Sequence, residues 1–235
     1  MNNSPYATRK KETIVISLGG SIIVPKEIDV DFLKRFKAFI EAHVKQGYRF
    51  VIVSGGGSTC RMYQKAASAV ELMDKEDLDW LGIHATRLNG HLLRTIFRKI
   101  ANPVVLNHPD RPLKFTEPVL IAAGWKPGFS TDYDTVLLAK RFKAKTVINL
   151  SDTDYVYTKD PRHNTDATPI KELSWKEFRK IVGDRWVPGM NVPFDPLASG
   201  LAEKLGLRVA MLKGTNLENL EAFLAGGKFK GTLIS

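Results

Sequence analysis

Short runs of aliphatic and β-branched residues alternate along the chain with longer segments whose apolar residues recur at helical spacing. The first run, Thr13–Leu18, ends at Gly19-Gly20, and the second, residues 49–53, leads into three glycines at 55–57. Apolar side chains recur every three or four positions between the two runs, and Ser58 or Thr59 is expected to cap the helix after the second. The pattern predicts a buried strand, a glycine turn and a helix, twice in succession.

The alternation continues to the C-terminus. Further strands are predicted at residues 104–106, 119–122, 146–150, 208–212 and 232–234. Further helices are predicted at residues 77–99, 132–142, 175–182, 195–205 and 217–225, the first with Leu78, Leu81, Leu88, Leu92 and Ile96 along one apolar side. Asp29, Ser174 with Glu177, and Asp195 with Pro196 are typical of helix N-termini. This order predicts an α/β fold, a three-layer α/β/α sandwich with a mainly parallel central sheet.

Composition narrows the class of protein. The chain has 235 residues, 43% hydrophobic and 26% charged, which are the fractions of an ordinary soluble protein. No apolar run approaches the roughly 20 residues of a membrane span, so a cytoplasmic protein without membrane contact is expected. The single cysteine, Cys60, excludes a disulfide framework and a cysteine-cluster metal site. Residues 1–12 are polar and basic, and they are predicted to form a flexible extension before a single domain over residues 13–235.

A net charge of +10 can accompany nucleic-acid binding, an anionic small substrate or a well-solvated surface. The basic residues are dispersed, and no basic run is interleaved with aromatic side chains in the manner of a base-stacking surface. We therefore expect no nucleic-acid partner.

Glycine-rich turns follow three of the predicted strands, at residues 19–21, 55–58 and 124–131. A backbone without Cβ atoms lets several N–H groups approach one phosphate oxygen, and a following helix N-terminus adds partial positive charge. Three such turns at the same end of a parallel sheet predict binding of a polyphosphate or of two phosphates. The dinucleotide and P-loop signatures do not occur, and no serine, cysteine or histidine arrangement supports nucleophilic catalysis.

Six segments carry a family resemblance. They are VISLGGSIIVP at 15–25, VSGGGSTCR at 53–61, STDYDTVLLA at 130–139, DYVYTKDP at 154–161, DPLAS at 195–199 and GTLIS at 231–235. In this order they resemble the amino acid kinase superfamily, and within it the uridylate (UMP) kinases of the archaeal type. The resemblance implies transfer of the ATP γ-phosphoryl group to UMP with Mg²⁺ bound mainly through the ATP phosphates, in pyrimidine nucleotide biosynthesis, by a homo-oligomer, commonly a hexamer.

The resemblance also assigns residues, with the acceptor on the N-terminal part and ATP on residues from about 130 to 235. It implies ATP binding by Gly20, Ser21, Gly57, Arg61, Ser151, Asp152, Tyr157 and Asp160. It implies UMP binding by Gly56, Asp79, Trp125, Lys126, Pro127, Gly128, Phe129, Ser130 and Thr131. Arg61 and Asp132 are the expected catalytic residues, and no protein side chain is expected to be a dedicated metal ligand.

The chain departs from related kinases at three positions. Ser17 stands where many superfamily members have a lysine, Asp152 where the bacterial UMP kinases have one, and Tyr155 in place of a family glycine. The archaeal type likewise lacks both lysines, so the source of positive charge stays open. Lys26, Lys126 and Lys159 are candidates for the missing positive charge, and the sequence does not choose among them. Two alternatives therefore stay open: another small-molecule kinase of the same superfamily, or a catalytically weak nucleotide-binding regulatory homologue.

Overall fold

The computed structural model describes residues 13–185 and 192–235, and the predicted extension 1–12 lies outside them. The strands are β1 (Thr13–Leu18), β2 (Arg49–Ser54), β3 (Val119–Ala122), β4 (Thr146–Ser151), β5 (Val156–Tyr157), β6 (Pro169–Ile170), β7 (Glu172–Leu173), β8 (Arg208–Lys213) and β9 (Thr232–Ile234). The helices are α1 (Gly20–Ile23), α2 (Val30–Lys45), α3 (Gly57–Val70), α4 (Lys75–Ile96), α5 (Thr131–Arg141), α6 (Trp175–Val182), α7 (Pro196–Lys204) and α8 (Leu217–Leu224).

Seven strands form one sheet in the order β3-β2-β1-β4-β8-β9-β7. All neighbouring pairs are parallel except β8 with β9, while β5 and β6 form a separate antiparallel pair. β2 and β3 lie on one side of β1 and β4 lies on the other, and because these strands are parallel their C-terminal ends lie at one edge. Open parallel sheets bind ligands at such an edge.

The core lies on both faces of the sheet. Ile14, Ile16 and Leu18 of β1 pack against α2 and α8 on one face, and Val15 of the same strand packs on the other, where α5, α6 and α7 lie. Strands buried on both faces require the near-continuous apolar runs that the sequence contains. The predicted α/β/α sandwich with a mainly parallel sheet is confirmed.

The predicted helix N-termini are confirmed. The Asp29 side chain accepts from the Phe32 backbone N–H at 2.8 Å at the start of α2, and Ser174 and Glu177 form a reciprocal capping box at α6. Asp195 accepts from the Ala198 N–H at 2.6 Å, with Pro196 as the first residue of α7.

Local predictions were wrong in three places. Residues 104–106 form no strand, and only Leu106 makes a single bridge to Ala122, in a segment where Pro103 and Pro109 limit backbone donors. Neither Ser58 nor Thr59 caps α3, which begins at Gly57. Leu88 of α4 is 61% exposed, whereas the buried positions of that helix include Thr86 and Asn89.

Candidate active site

The first two glycine turns touch each other at the C-terminal ends of β1 and β2. The Gly55 N–H donates to the Leu18 carbonyl at 2.9 Å, and a Cβ atom at Gly20 would lie 2.0 Å from the Gly57 backbone nitrogen. Gly57 itself has a φ of 63°, in the left-handed region that favours glycine. The close approach of the two turns therefore requires glycine on both sides.

A cavity of about 610 Å³ opens beside these turns. The predicted site residues that line it are Ser21, Gly56, Gly57, Arg61, Asp79, Phe129, Ser130, Thr131 and Asp152. Residues that the sequence did not assign to a nucleotide also line it: Cys60, Gln64, Gly82, Ile83, Thr86, Gly124 and Arg162. The cavity has two cations, Arg61 and Arg162, and two carboxylates, Asp79 and Asp152. The helix N-terminus at Gly57 provides backbone N–H groups that can bind an anion.

Helix α4 presents a polar face that holds the site together. Asn89 Nδ2 donates to the carbonyls of Gly55 and Gly56 at 2.8 and 3.1 Å. Thr86 Oγ1 accepts from the Gly124 N–H at 2.8 Å, so this one helix fixes both the second and the third glycine turn. Positions 79, 82, 86 and 89 share a helical face, and all four residues are small or polar. This pattern could have predicted a face directed at the site, but the leucines of the same helix suggested another buried side.

The loop from Gly124 to Thr131 is fastened at several points. The Arg87 guanidinium donates to the carbonyls of Gly124 at 3.2 Å and Trp125 at 2.7 Å. Asp134 Oδ2 accepts from the Trp125 N–H at 3.0 Å, and Asp79 Oδ2 accepts from the Gly128 N–H at 2.8 Å. Phe129, Ser130 and Thr131 reach the cavity wall, whereas Trp125, Lys126, Pro127 and Gly128 lie beside it.

Asp132 lies behind the cavity wall, at the N-terminus of α5. Its carboxylate accepts from the Ser17 hydroxyl at 3.0 Å and from the Asp195 backbone N–H at 3.2 Å. Burial, followed by the nearby Asp195 carboxylate, raises the pKa of Asp132 to about 7. The Ser17 hydroxyl therefore donates to Asp132 from a position where many superfamily members have a lysine.

Two groups that line the cavity also have shifted pKa values. Burial raises the pKa of the Cys60 thiol and thereby keeps it protonated, which argues against a nucleophilic role. Burial also raises the pKa of Asp79, against the opposing effect of the Gly128 hydrogen bond.

A second cavity of about 300 Å³ adjoins the first. The predicted residues Ser151, Asp152, Tyr157 and Asp160 line it, together with Tyr155, Lys159 and Arg162 among others. Tyr155 and Tyr157 form an edge-to-face pair with ring centroids 6.3 Å apart. Asp152 and Arg162 line both cavities and mark where they meet. Gly20 lines neither cavity, and it packs against the backbone of Gly56 and Gly57, which line the first.

The three lysines suggested as replacements have different positions. Lys26 lines neither cavity, and the Lys126 ammonium lies over the rings of Trp125 at 4.2 Å and Phe129 at 5.1 Å. Lys159 lines the second cavity, where its ammonium pairs with Asp166 at 2.6 Å. The cation at the junction is Arg162, which the sequence analysis missed.

The family model described as the amino acid kinase family matches residues 12–212. The chain belongs to the amino acid kinase family. It is 34% identical over 226 residues to a protein of Methanospirillum hungatei named uridylate kinase, covering 95% of this chain and 94% of that one. A relative of the same name from Hyperthermus butylicus is 32% identical over 231 residues, with 96% and 99% covered.

Solved structures agree with this family assignment. The crystal structure of uridylate kinase from Archaeoglobus fulgidus superposes with a TM-score of 0.80 at 31% identity and covers 94% of this chain and 99% of that one. UMP kinase from Bacillus anthracis superposes with a TM-score of 0.79 at 21% identity, covering 97% of both chains, and supports the amino acid kinase fold alone. None of the helices described for this family member combines the length and apolarity needed to cross a bilayer.

Proposed function

We propose that this protein is a UMP kinase, which transfers the γ-phosphoryl group of ATP to UMP and forms UDP and ADP in pyrimidine nucleotide biosynthesis. The observation that carries the proposal is the pair of adjoining cavities, one lined by glycine turns and the other by tyrosines, which meet at Asp152 and Arg162. Two nucleotides placed in them would meet through their phosphates. The similarity to proteins named uridylate kinase supports UMP as the acceptor.

The first cavity is the proposed UMP site. Asp79 keeps Oδ1 available while Oδ2 holds Gly128, and a carboxylate oxygen is suited to accept hydrogen bonds from ribose hydroxyls. Ser130 and Thr131 lie at the N-terminus of α5, where hydroxyls and backbone N–H groups can bind the acceptor phosphate. Gly56 and the loop residues Trp125, Lys126, Pro127, Gly128 and Phe129 complete the proposed UMP site.

The second cavity is the proposed site of the ATP nucleoside. Tyr157 can pack against the base, and Ser151, Asp152 and Asp160 provide polar groups around it. The ATP phosphates would then extend towards Gly20, Ser21, Gly57 and Arg61, where the two glycine turns converge.

The reaction requires alignment and charge neutralisation more than covalent help from the protein. A UMP phosphate oxygen forms a bond to the γ-phosphorus while the bond from that phosphorus to the β–γ bridging oxygen breaks, and its electron pair leaves with ADP. The attacking oxygen is anionic at neutral pH, so no general base is needed. Arg61 provides positive charge from α3, and Asp132 keeps Ser17 and the start of α7 in place beneath the phosphates.

Mg²⁺ fits this arrangement as an ion that arrives on the ATP phosphates. Among residues 13–185 and 192–235, no group of three or more histidine, cysteine, aspartate or glutamate side chains could hold a metal ion. Asp152 is exposed and lines both cavities, and one carboxylate together with substrate phosphates is a usual magnesium environment. Bound there, the ion would neutralise phosphate charge.

An assay of ADP release with ATP, Mg²⁺ and one of UMP, CMP, acetylglutamate or isopentenyl phosphate tests the proposal. We expect UMP to be consumed fastest and UDP to form in step with ADP. A preference for the carboxylate or the isoprenoid phosphate would assign another kinase activity, and nucleotide binding without turnover would assign a regulatory homologue.

The Arg61→Ala variant tests the catalytic assignment. We expect turnover to fall at least about 100-fold, the order of effect seen when one charge-stabilising donor is removed. The matched control is Lys65→Ala, which removes an exposed cation one helical turn further along α3 and should retain wild-type turnover. Turnover of Arg61→Ala within a few-fold of wild type would exclude the assigned role.

We also propose that the kinase acts in the cytoplasm as a homo-oligomer whose subunits meet through α3 and α4. No residue of α3 is buried within one copy of the chain. Large apolar side chains are exposed on this helical pair and its connection: Met62, Tyr63, Val70, Leu72 and Leu88. A second copy of the same chain is the occupant that would cover them.

A further inference from the structure

Arg162 holds a position that no other cation among the described residues shares. It lines both cavities, whereas Arg61 lines only the first and Lys159 only the second. It belongs to the turn that follows β5, and it lines the first cavity together with Gly56 and Gly57 of the second glycine turn. A cation at the junction of the two cavities lies where the group in transfer must pass.

Asp160 fixes the Arg162 side chain. Nε donates to Asp160 Oδ1 at 3.1 Å and Nη2 donates to Oδ2 at 3.0 Å, in the two-point geometry that arginine forms with a carboxylate. The Arg162 backbone N–H also donates to Oδ1 at 3.0 Å. A guanidinium has five N–H donors, so this pair orients the group and leaves about three donors for a ligand.

The other charges around the junction leave a deficit of positive charge. The first cavity has two cations, Arg61 and Arg162, against the carboxylates of Asp79 and Asp152. In the second cavity, Asp166 neutralises Lys159, at 2.6 Å. Ser17 stands where many superfamily members have a lysine, and Asp152 stands where the bacterial UMP kinases have one. Reacting phosphates therefore have few cationic partners.

We propose that Arg162 is a catalytic residue of this chain, whose free N–H donors contact the phosphoryl group during its transfer between the two nucleotides. This inference rests on the proposed kinase function and deepens it. While the bond to the β–γ bridging oxygen breaks and the bond to the acceptor oxygen forms, the negative charge of the transferred group is spread over its three equatorial oxygens. A planar, permanently charged guanidinium at that point stabilises it. Asp160 is the positioning residue that presents the guanidinium.

Steady-state kinetics of Arg162→Ala, Arg162→Lys and wild type test the assignment, with UMP and ATP varied in turn. We expect kcat of Arg162→Ala to fall about 100-fold or more, with each KM within about threefold, because the contact is made mainly in the transition state. The kcat of Arg162→Lys should fall less than that of Arg162→Ala, since lysine keeps the positive charge but lacks the planar guanidinium with its paired N–H donors. Millimolar guanidinium should restore part of the activity of Arg162→Ala, which a merely structural role would not allow.

Arg179→Ala is the matched control. Arg179 also donates two hydrogen bonds to one carboxylate, that of Asp184, but lines neither cavity, and this variant should keep kcat within twofold of wild type. The Arg162 side chain is 55% exposed, so Arg162→Ala should fold, and an unchanged thermal midpoint checks this.

The outcomes separate the two proposals. Suppose that wild type forms UDP and that Arg162→Ala keeps kcat within threefold or loses only affinity for ATP. Either result overturns the role of Arg162 and leaves the kinase function in place. Wild type that consumes no UMP overturns the kinase function itself. A fall in kcat with guanidinium rescue supports both.

Discussion

The Asp79 carboxylate of α4 accepts a hydrogen bond of 2.8 Å from the Gly128 backbone N–H, in the loop at the mouth of the first cavity. Only Oδ2 takes part in this contact. The same side chain can therefore fasten the loop with one oxygen and bind a ribose hydroxyl with the other, which couples acceptor binding to the position of the loop.

The Asp79→Asn variant separates these two tasks. Its amide oxygen can still accept from Gly128, while its NH₂ group cannot accept from a ribose hydroxyl. We expect KM for UMP to rise at least about 10-fold, the effect of losing a hydrogen bond to a charged group, with KM for ATP unchanged. Asp79→Ala loses both contacts and should also speed exchange of the Gly128 amide hydrogen, measured by NMR or mass spectrometry.

Asp77→Asn is the control, because Asp77 is an exposed carboxylate in the first turn of the same helix. It should leave both KM values unchanged. An equal KM for UMP in Asp79→Asn and wild type would show that Asp79 serves the loop alone.

Much of the fold was predictable because its determinants are local. The apolar run of β1, the glycines that follow it and the capping pairs of α6 and α7 are each readable within about ten residues. The two-residue strands β5, β6 and β7 were not, since such short segments carry no periodicity and depend on the contacts made by the surrounding chain.

The site was predictable only where a motif or a resemblance marked it. Arg162 carries no motif of its own, and its importance arises because the folded chain places it on the walls of both cavities. On α4 the spacing of the leucines predicted the buried side of the helix. The residues that hold the glycine turns are Thr86 and Asn89, which lie about one helical turn apart on one face.

Contact between the two glycine turns gives a steric prediction. A Cβ at Gly20 would lie 2.0 Å from the Gly57 nitrogen, and backbone on both sides leaves no room to move, so we expect Gly20→Ala to lower the free energy of unfolding by at least about 2 kcal/mol. Gly200→Ala is the control, since no atom lies within 4 Å of the added Cβ on α7 and helix propensity favours alanine. Urea denaturation measures both, and equal stability of the two variants would contradict the observed packing.

Asp134 predicts a pH dependence of stability. Burial, helped by the nearby carboxylates of Asp132 and Asp195, raises its pKa to about 7. The Trp125 hydrogen bond and the charge of Arg87 oppose this shift. Oδ1 has no hydrogen-bond partner among the described residues. The folded chain therefore binds a proton that the unfolded chain releases near pH 4, and this group costs stability as pH rises from about 4 to 7.

Replacing the titrating group with an amide should remove this dependence. We expect Asp134→Asn to become more stable than wild type as pH rises, the difference growing by up to about 1.4 kcal/mol per pH unit between pH 5 and 7 and staying level above pH 7. Urea denaturation at pH 5, 6, 7 and 8 measures this. Asp110→Asn, at an exposed carboxylate, should show no such trend, and parallel curves for Asp134→Asn and wild type would contradict the raised pKa.

The exposed apolar side chains at the end of α3 and in its connection to α4 predict that added charges will dissociate the proposed oligomer. Val70 and Leu72 are 86% and 94% exposed in one copy, and burying a lysine there between subunits would leave an unpaired charge. We expect wild type to sediment at a multiple of 26.3 kDa, a hexamer by the family resemblance, and the Val70→Lys/Leu72→Lys double variant to sediment at a smaller multiple. Val30→Lys on α2, where the valine is 55% exposed, controls for added charge and should leave the mass unchanged. Wild type that sediments as a monomer at micromolar concentration would contradict the proposed assembly, and a double variant with the wild-type mass would place the interface elsewhere.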